Sequence, residues 1–271
     1  TAFAVWALYL PSGGSTFALL ARGWTVLLAA SFGAVVLRSK EGRFLPQALL
    51  AIAIALAIGV VTAAVAGGGL SEAASVFGDA IARRAEIGRT AWQQFTARAE
   101  WAEFSAENPS AELLSQQVEL QFAELPKAAR LMLPALLALE SLAALALAWA
   151  VYHRFGRARL GPPLSPLREF TFHDAFVWGI IAGLLVIVVP MPDAAQLIGA
   201  NLMVFVGALY VLRGLGVLLW FLDPGRWMQV VWAIVLVMFL QVVAAVAFAI
   251  GVGDTWLDWR RRTRPKSQRS E

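Results

Sequence analysis

The chain contains no cysteine, which excludes disulfides, thiolate metal sites and a cysteine nucleophile. Histidine is almost as scarce. His153 and His173 are the only two, a proline-rich stretch separates them, and no metal site is expected. A phosphate-cradling P-loop, a Gly-x-Ser-x-Gly elbow and a His-Glu-x-x-His pair are missing as well. The common routes to nucleophilic, metal-assisted and nucleotide-dependent chemistry go with them, so the chain reads as a non-enzyme with no cofactor. Charge is also short. Charged residues make up 15% of the 271, against about 25% in soluble domains, which need a charged surface.

Apolar residues are abundant: 59% of the chain, with a mean hydropathy of +0.69. They come in long blocks, and an apolar run of about 18 residues or more reads as a membrane span. Full-length runs occupy residues 16–37, 44–66, 131–152, 170–189, 195–222 and 227–250. Residues 2–10 are too short to span and read as the end of a truncated helix, with a cleaved signal peptide as the rival explanation. The expected fold is therefore all-α: a polytopic transmembrane helix bundle of six near-complete segments plus a truncated N-terminal one. The 22 Lys and Arg outnumber the 18 Asp and Glu, giving +4, but they cluster beside apolar blocks. That is the pattern of membrane orientation, and nucleic acid is not expected as a partner.

Composition changes between the second and third runs. From Ser71 to Glu124 both charge signs occur, and Phe77, Ile81, Ala85, Gly88, Trp92, Phe95 and Ala99 recur at helical steps along one face. Asn108-Pro109-Ser110 ends that helix, and Leu114, Val118, Phe122 and Leu125 stripe the next. The chain so divides into N-terminal membrane segments (1–69), amphipathic extramembrane helices (70–124), C-terminal membrane segments (125–253) and a basic tail (254–271). Trp149, Trp220, Trp227, Trp256 and Trp259 sit near helix ends, as interfacial belts do, and Trp178 is expected between helices.

Basic connections at 38–43 and 153–168 fall on one side of the expected spans, and positive-inside bias makes that side cytoplasmic. The amphipathic segment is then external. Three further crossings would put the basic tail outside, against the rule. A re-entrant or broken segment among the last three, near Gly214 and Gly216 or Gly251 and Gly253, would remove the conflict. Global inversion is the opposite solution.

Two charges interrupt apolar runs, Glu140 and Arg213. A charge at mid-membrane costs about 2.5–3.5 kcal/mol on insertion scales, so such groups seek each other or an aqueous cavity. A Glu140–Arg213 pair is expected, either as a structural link or as a substrate or proton site; separate snorkelling is the alternative. Asn201, Gln196 and Gln241 are amides at depth, for which interhelical hydrogen bonds suffice. Gly179 and Gly183 form a GxxxG step, and Gly207 and Gly214 lie a heptad apart, both permitting close helix packing. Asp254, Asp258 and Arg260 are expected to cap and anchor the end of the last helix.

Three stretches carry a family resemblance. They are Leu125-Pro126 running into Leu133-Pro134-Ala135-Leu136, the helix with Asn201 and Tyr210-Val211-Leu212-Arg213-Gly214-Leu215, and the ending Gly253-Asp254-Thr255-Trp256-Leu257-Asp258-Trp259-Arg260. Over roughly residues 44–262 the order of elements resembles the YybS-like family of predicted bacterial membrane proteins. Where that pattern leads one to expect an uncharged residue, this chain has Arg213. The family is in turn distantly similar to S components of energy-coupling-factor transporters, which bind vitamins. The resemblance implies a multi-pass protein of the bacterial cytoplasmic membrane, partnered by the lipid bilayer. The family's function is unassigned, and the residues themselves suggest two. Glu140, Arg213 and Asn201 at depth suggest a solute-binding or transport component. The external helical segment, the GxxxG step and the aromatic-rich surface suggest a non-catalytic accessory subunit packed against other membrane subunits. A membrane-embedded enzyme using Glu140 with Asp254 comes third, and their different depths argue against it.

Overall fold

A computed structural model of the chain describes residues 16–65, 69–108, 110–156, 160–222, 225, 228 and 240–263. The expected first helix at 2–10, Trp227, residues 229–239 and the tail beyond 263 lie outside them. All regular structure among the described residues is helical, and the chain divides into two compact units, residues 1–40 with 46–134 and residues 41–45 with 135–271.

In the first unit, α1 (Thr16–Arg38) and α2 (Phe44–Val65) are apolar all round, as membrane helices are. On α2 the residues Ala48, Ala51, Ile52 and Ala55 recur at helical spacing and are buried. The amphipathic stretch folds as α3 (Gly69–Thr96), α4 (Ala99–Glu107) and α5 (Ser110–Leu131). α3 and α5 pair antiparallel. The Phe122 ring covers Gly88, Gln93 bonds Glu119 at 3.2 Å, and Arg130 bonds Asp79 at 2.6 Å. The break before α4 was not expected from the sequence. It gathers Trp92, Phe95 and Trp101 into edge and tilted ring contacts with centroids 5.4–5.6 Å apart. In a straight helix Trp92 and Trp101 would stand about 13 Å apart, so burying the rings against one another favours the kink.

In the second unit, α6 (Leu133–Phe155) is followed by an extended linker with two 3-10 turns (Leu167–Glu169 and Asp174–Phe176). Then come α7 (Val177–Val188), α8 (Asp193–Leu222), α9 (Leu240–Leu257) and the one-turn α10 (Trp259–Thr263). Two expectations are corrected here. The run 170–189 is not a continuous span, because only its second half is helical. Twelve residues of α7 reach about 18 Å, short of the ~30 Å hydrocarbon layer. The helix over the last run continues beyond 250 to Leu257, and the part of that run at 227 and 229–239 lies outside the described residues. Among the described residues five helices are long and apolar enough to cross a membrane: Ala18–Arg38, Phe44–Thr62, Leu133–Phe155, Asp193–Leu222 and Leu240–Leu257.

α7 and α8 form an antiparallel hairpin. A Cβ built on Gly183 would lie 2.8 Å from Met203 and 3.0 Å from the Gly199 carbonyl, and one on Gly179 would lie 3.2 Å from Val206. α7 therefore covers the first half of α8, and the linker runs beside the second half, where the Leu167 carbonyl abuts Gly216. α8 and α9, by contrast, run parallel. Gly207 faces Phe248, Tyr210 meets Gly251 and Arg213 bonds Asp254. Leu222 and Leu240 are thus at opposite ends of the pair, roughly 34 Å apart along the axes.

Trp178 is 67% exposed on α7 and is not packed between helices, while Trp149 is buried and donates from Nε1 to the Pro162 carbonyl at 3.1 Å.

Candidate functional site

The parallel register of α8 and α9 is made by glycine. A Cβ on Gly214 would overlap the Ala247 carbonyl, and one on Gly251 would overlap the Tyr210 carbonyl. With no side chain at either position the backbones touch, the geometry that small residues permit between membrane helices. This approach brings Arg213 and Asp254 together.

The Arg213 side chain is 6% exposed and that of Asp254 1%. Arg213 Nε donates to Asp254 Oδ2 at 2.9 Å, and Nη2 donates to the Asp254 carbonyl at 3.2 Å. A second guanidinium arrives from α10. Asp258 has φ 43°, the left-handed conformation that aspartate tolerates better than most residues. The chain turns there, and Arg260 folds back to donate from Nη2 to Asp254 Oδ2 at 2.7 Å. Its Nη1 donates to the carbonyls of Arg168 (3.2 Å) and Phe170 (3.0 Å). Those carbonyls belong to the linker at its first 3-10 turn, outside any α-helix. Irregular backbone at membrane depth persists only where protein or a wet cavity satisfies it, and Arg260 supplies that bond.

A second acid, Asp174, closes the cluster: its Oδ1 accepts from Arg213 Nη1 at 2.9 Å, yet its side chain is 62% exposed. The Arg213 guanidinium also lies 5.4 Å from the Phe172 ring, which packs edge-on against buried Tyr210. Arg213 sits nine residues before the end of α8, about 13 Å in from that end. A cavity of about 270 Å³ opens beside the cluster, lined among others by Asp174, Arg213, Trp220, Thr255, Asp258 and Arg260. Asp254 Oδ1, Thr255 Oγ1 and the Tyr210 hydroxyl are buried with no hydrogen-bond partner among the described residues.

The expected Glu140–Arg213 pair is not formed. Glu140 is exposed on α6, next to buried Ser141 on the adjoining face, and Arg213 takes Asp254 and Asp174 instead. Asp254 and Arg260 do more than end a helix, since they form the centre of the cluster. Asn201 Oδ1 accepts from the Ala135 amide at 2.9 Å, tying α8 to the first turn of α6, where backbone donors lack helical partners. Gln196 and Gln241 are exposed. Of the glycines, Gly183 and Gly214 stand at close contacts, Gly179 is half-buried, and Gly207 only touches Phe248. Asp174, Thr255 and the linker carbonyls were missed. Asp174 lies in a run read as helical span, where nothing in its spacing points at Arg213.

Parallel apolar helices, a half-helix and a buried charge cluster define a polytopic helical membrane protein with a polar interior. The chain belongs to the family described as Predicted membrane protein (DUF2232), whose model matches residues 13–255. No curated protein and no solved structure matches the chain.

Proposed function

We propose that the chain is a non-catalytic solute-binding protein of a membrane transport process, and that its binding chamber is the cavity beside Arg213, Asp254 and Arg260. The observation that carries this reading is the meeting of a broken span with three buried charged side chains at a cavity. A purely structural bundle has no need of either feature, and both are costly in lipid; broken helices and intramembrane charges recur where solutes and ions pass.

The position of the cluster also supports a side for it. Arg260 bonds the linker at Arg168 and Phe170, so the end of α9 shares a face with the basic residue Arg168. Positive-inside bias makes that face cytoplasmic in a bacterial inner membrane, and the chamber then opens toward the cytoplasm.

The test is whether water reaches the chamber. With no native cysteine, Thr255→Cys in sealed vesicles is expected to react with a charged thiol reagent applied from the cytoplasmic side. A Thr255→Cys protein that stays unmodified while folded would show a dry cluster and favour the accessory-subunit reading. That reading rests on apolar faces such as Leu147 and Ile198, 68% and 70% exposed, which lipid covers equally well. A stoichiometric set of subunits co-purifying in gentle detergent would favour it further.

A further inference from the structure

We propose that the face of α6 around Glu140 docks a membrane-spanning helix of a partner protein, one that carries a lysine or arginine at the same depth. The surface lies on a helix that does not line the chamber, so the proposal goes beyond the solute-binding reading and stands or falls without it.

α6 runs from Leu133 to Phe155 and is long and apolar enough to cross a membrane. It buries one stripe, Ala135, Ala138, Leu142, Leu145 and Trp149, at steps of three and four residues. A second stripe turned away from it, Leu136, Glu140, Ala143, Leu147 and Ala150, repeats at the same steps and is exposed throughout. Alternating steps of four and three form the seam by which one helix packs along another. Leucine and alanine alone would be left to lipid, which is as apolar as they are. Glu140 is what lipid does not suit.

It stands seven residues into α6, about 10 Å from the start of the helix and about 22 Å from its end. A glutamate is too short to lift its carboxylate to the headgroups from there, as a lysine's long stem lifts its ammonium. Lipid tails offer no hydrogen-bond donor, so the charge stays costly until a cation reaches it. Arg213, the other charge within an apolar run, is answered inside the chain by Asp254 and Asp174. Glu140 makes no hydrogen bond or ion pair among the described residues.

Charge decides the occupant. A second copy brings a second carboxylate, and like charges at one depth repel. A helix with one base in an apolar run brings the opposite charge and bears the same unmet cost, so pairing relieves both. Ala143 and Ala144, exposed on the next turn, let its backbone approach closely.

The experiment uses the full chain, dye-labelled at exposed Ser165→Cys in phosphatidylcholine vesicles, and reads energy transfer to synthetic Leu/Ala spanning peptides of 23 residues, the length of α6. The peptides carry lysine, leucine or glutamate at the eighth or the sixteenth residue, so that either orientation reaches the depth of Glu140. Lysine peptides are expected to associate at a peptide-to-lipid ratio at least about fivefold lower than leucine peptides. Glu140→Gln, at an exposed position, is expected to keep its helical content and lose that preference, and Glu140→Asp to keep part of it. Equal association of lysine and leucine peptides would leave the face to lipid and overturn the proposal. A lysine preference that survives Glu140→Gln would place the peptide on other acids and overturn it as well. Glutamate peptides associating as well as lysine ones, or transfer between labelled copies that Glu140→Gln abolishes, would assign the face to a second copy and overturn the basic partner.

Discussion

At the scale of residues, the energetics turn on how differently one arginine holds its two acids. Removing the carboxylate of Asp254 leaves two guanidiniums without their shared buried partner, a change of the kind that costs about 3–5 kcal/mol. Asp174, largely in water, contributes like an exposed pair, about 1 kcal/mol or less. Asp254→Asn should therefore unfold well before the wild type in a denaturant titration in mixed micelles, and Asp174→Asn close to it. Equal losses would contradict the assignment of one acid to the buried structure and the other to the water-exposed edge. The sequence marked Arg213 clearly, because a base in an apolar run has to be neutralised. It did not mark the partner. The other charge within an apolar run suggested Glu140, and the choice of Asp254 depends on which faces of α8 and α9 meet. Periodicity along one helix carries no record of that.

Among the elements, composition announced where apolar segments lie and said less about their direction and continuity. The run 170–189 is apolar throughout, yet its first half is extended chain held by Arg260 and its second half a short helix. Hydropathy reports residence in the membrane and not the hydrogen bonding of the backbone. Parallel packing of α8 and α9 was equally hidden, because the closely spaced runs 195–222 and 227–250 read as successive crossings. In the parallel register Gly207 faces Phe248 across the width of its ring, so a Gly207→Cys, Phe248→Cys double variant should be joined by a short bifunctional thiol reagent. An antiparallel hairpin would instead bring Ala208 and Gln241 together, and Ala208→Cys, Gln241→Cys should fail to cross-link. Gly251→Ala places a methyl against the Tyr210 carbonyl and should cost about 1–3 kcal/mol of stability, the range for overpacked interiors, measured in the same titration. The glycine signals flagged in the sequence were real contacts at Gly183 and Gly214, but the partner glycine of the second, Gly251, was read as a sign of a broken helix.

For the second unit as a whole, the register brings the end of α9 to the linker. Reading the last three runs as simple crossings sent the basic terminus to the opposite face from residues 153–168, an arrangement that charge bias opposes. With α8 and α9 parallel, Arg260 reaches the linker carbonyls directly, so the end of α9 lies beside Arg168. The most direct test is single-cysteine labelling in sealed vesicles of known orientation, at Ser165 in the linker, Arg262 in α10 and Asp193 at the start of α8, all exposed. Ser165→Cys and Arg262→Cys are expected to react with an impermeant maleimide from the same side, and Asp193→Cys from the other. Labelling of Ser165→Cys and Arg262→Cys from opposite sides would contradict the parallel pair, and with it the chamber.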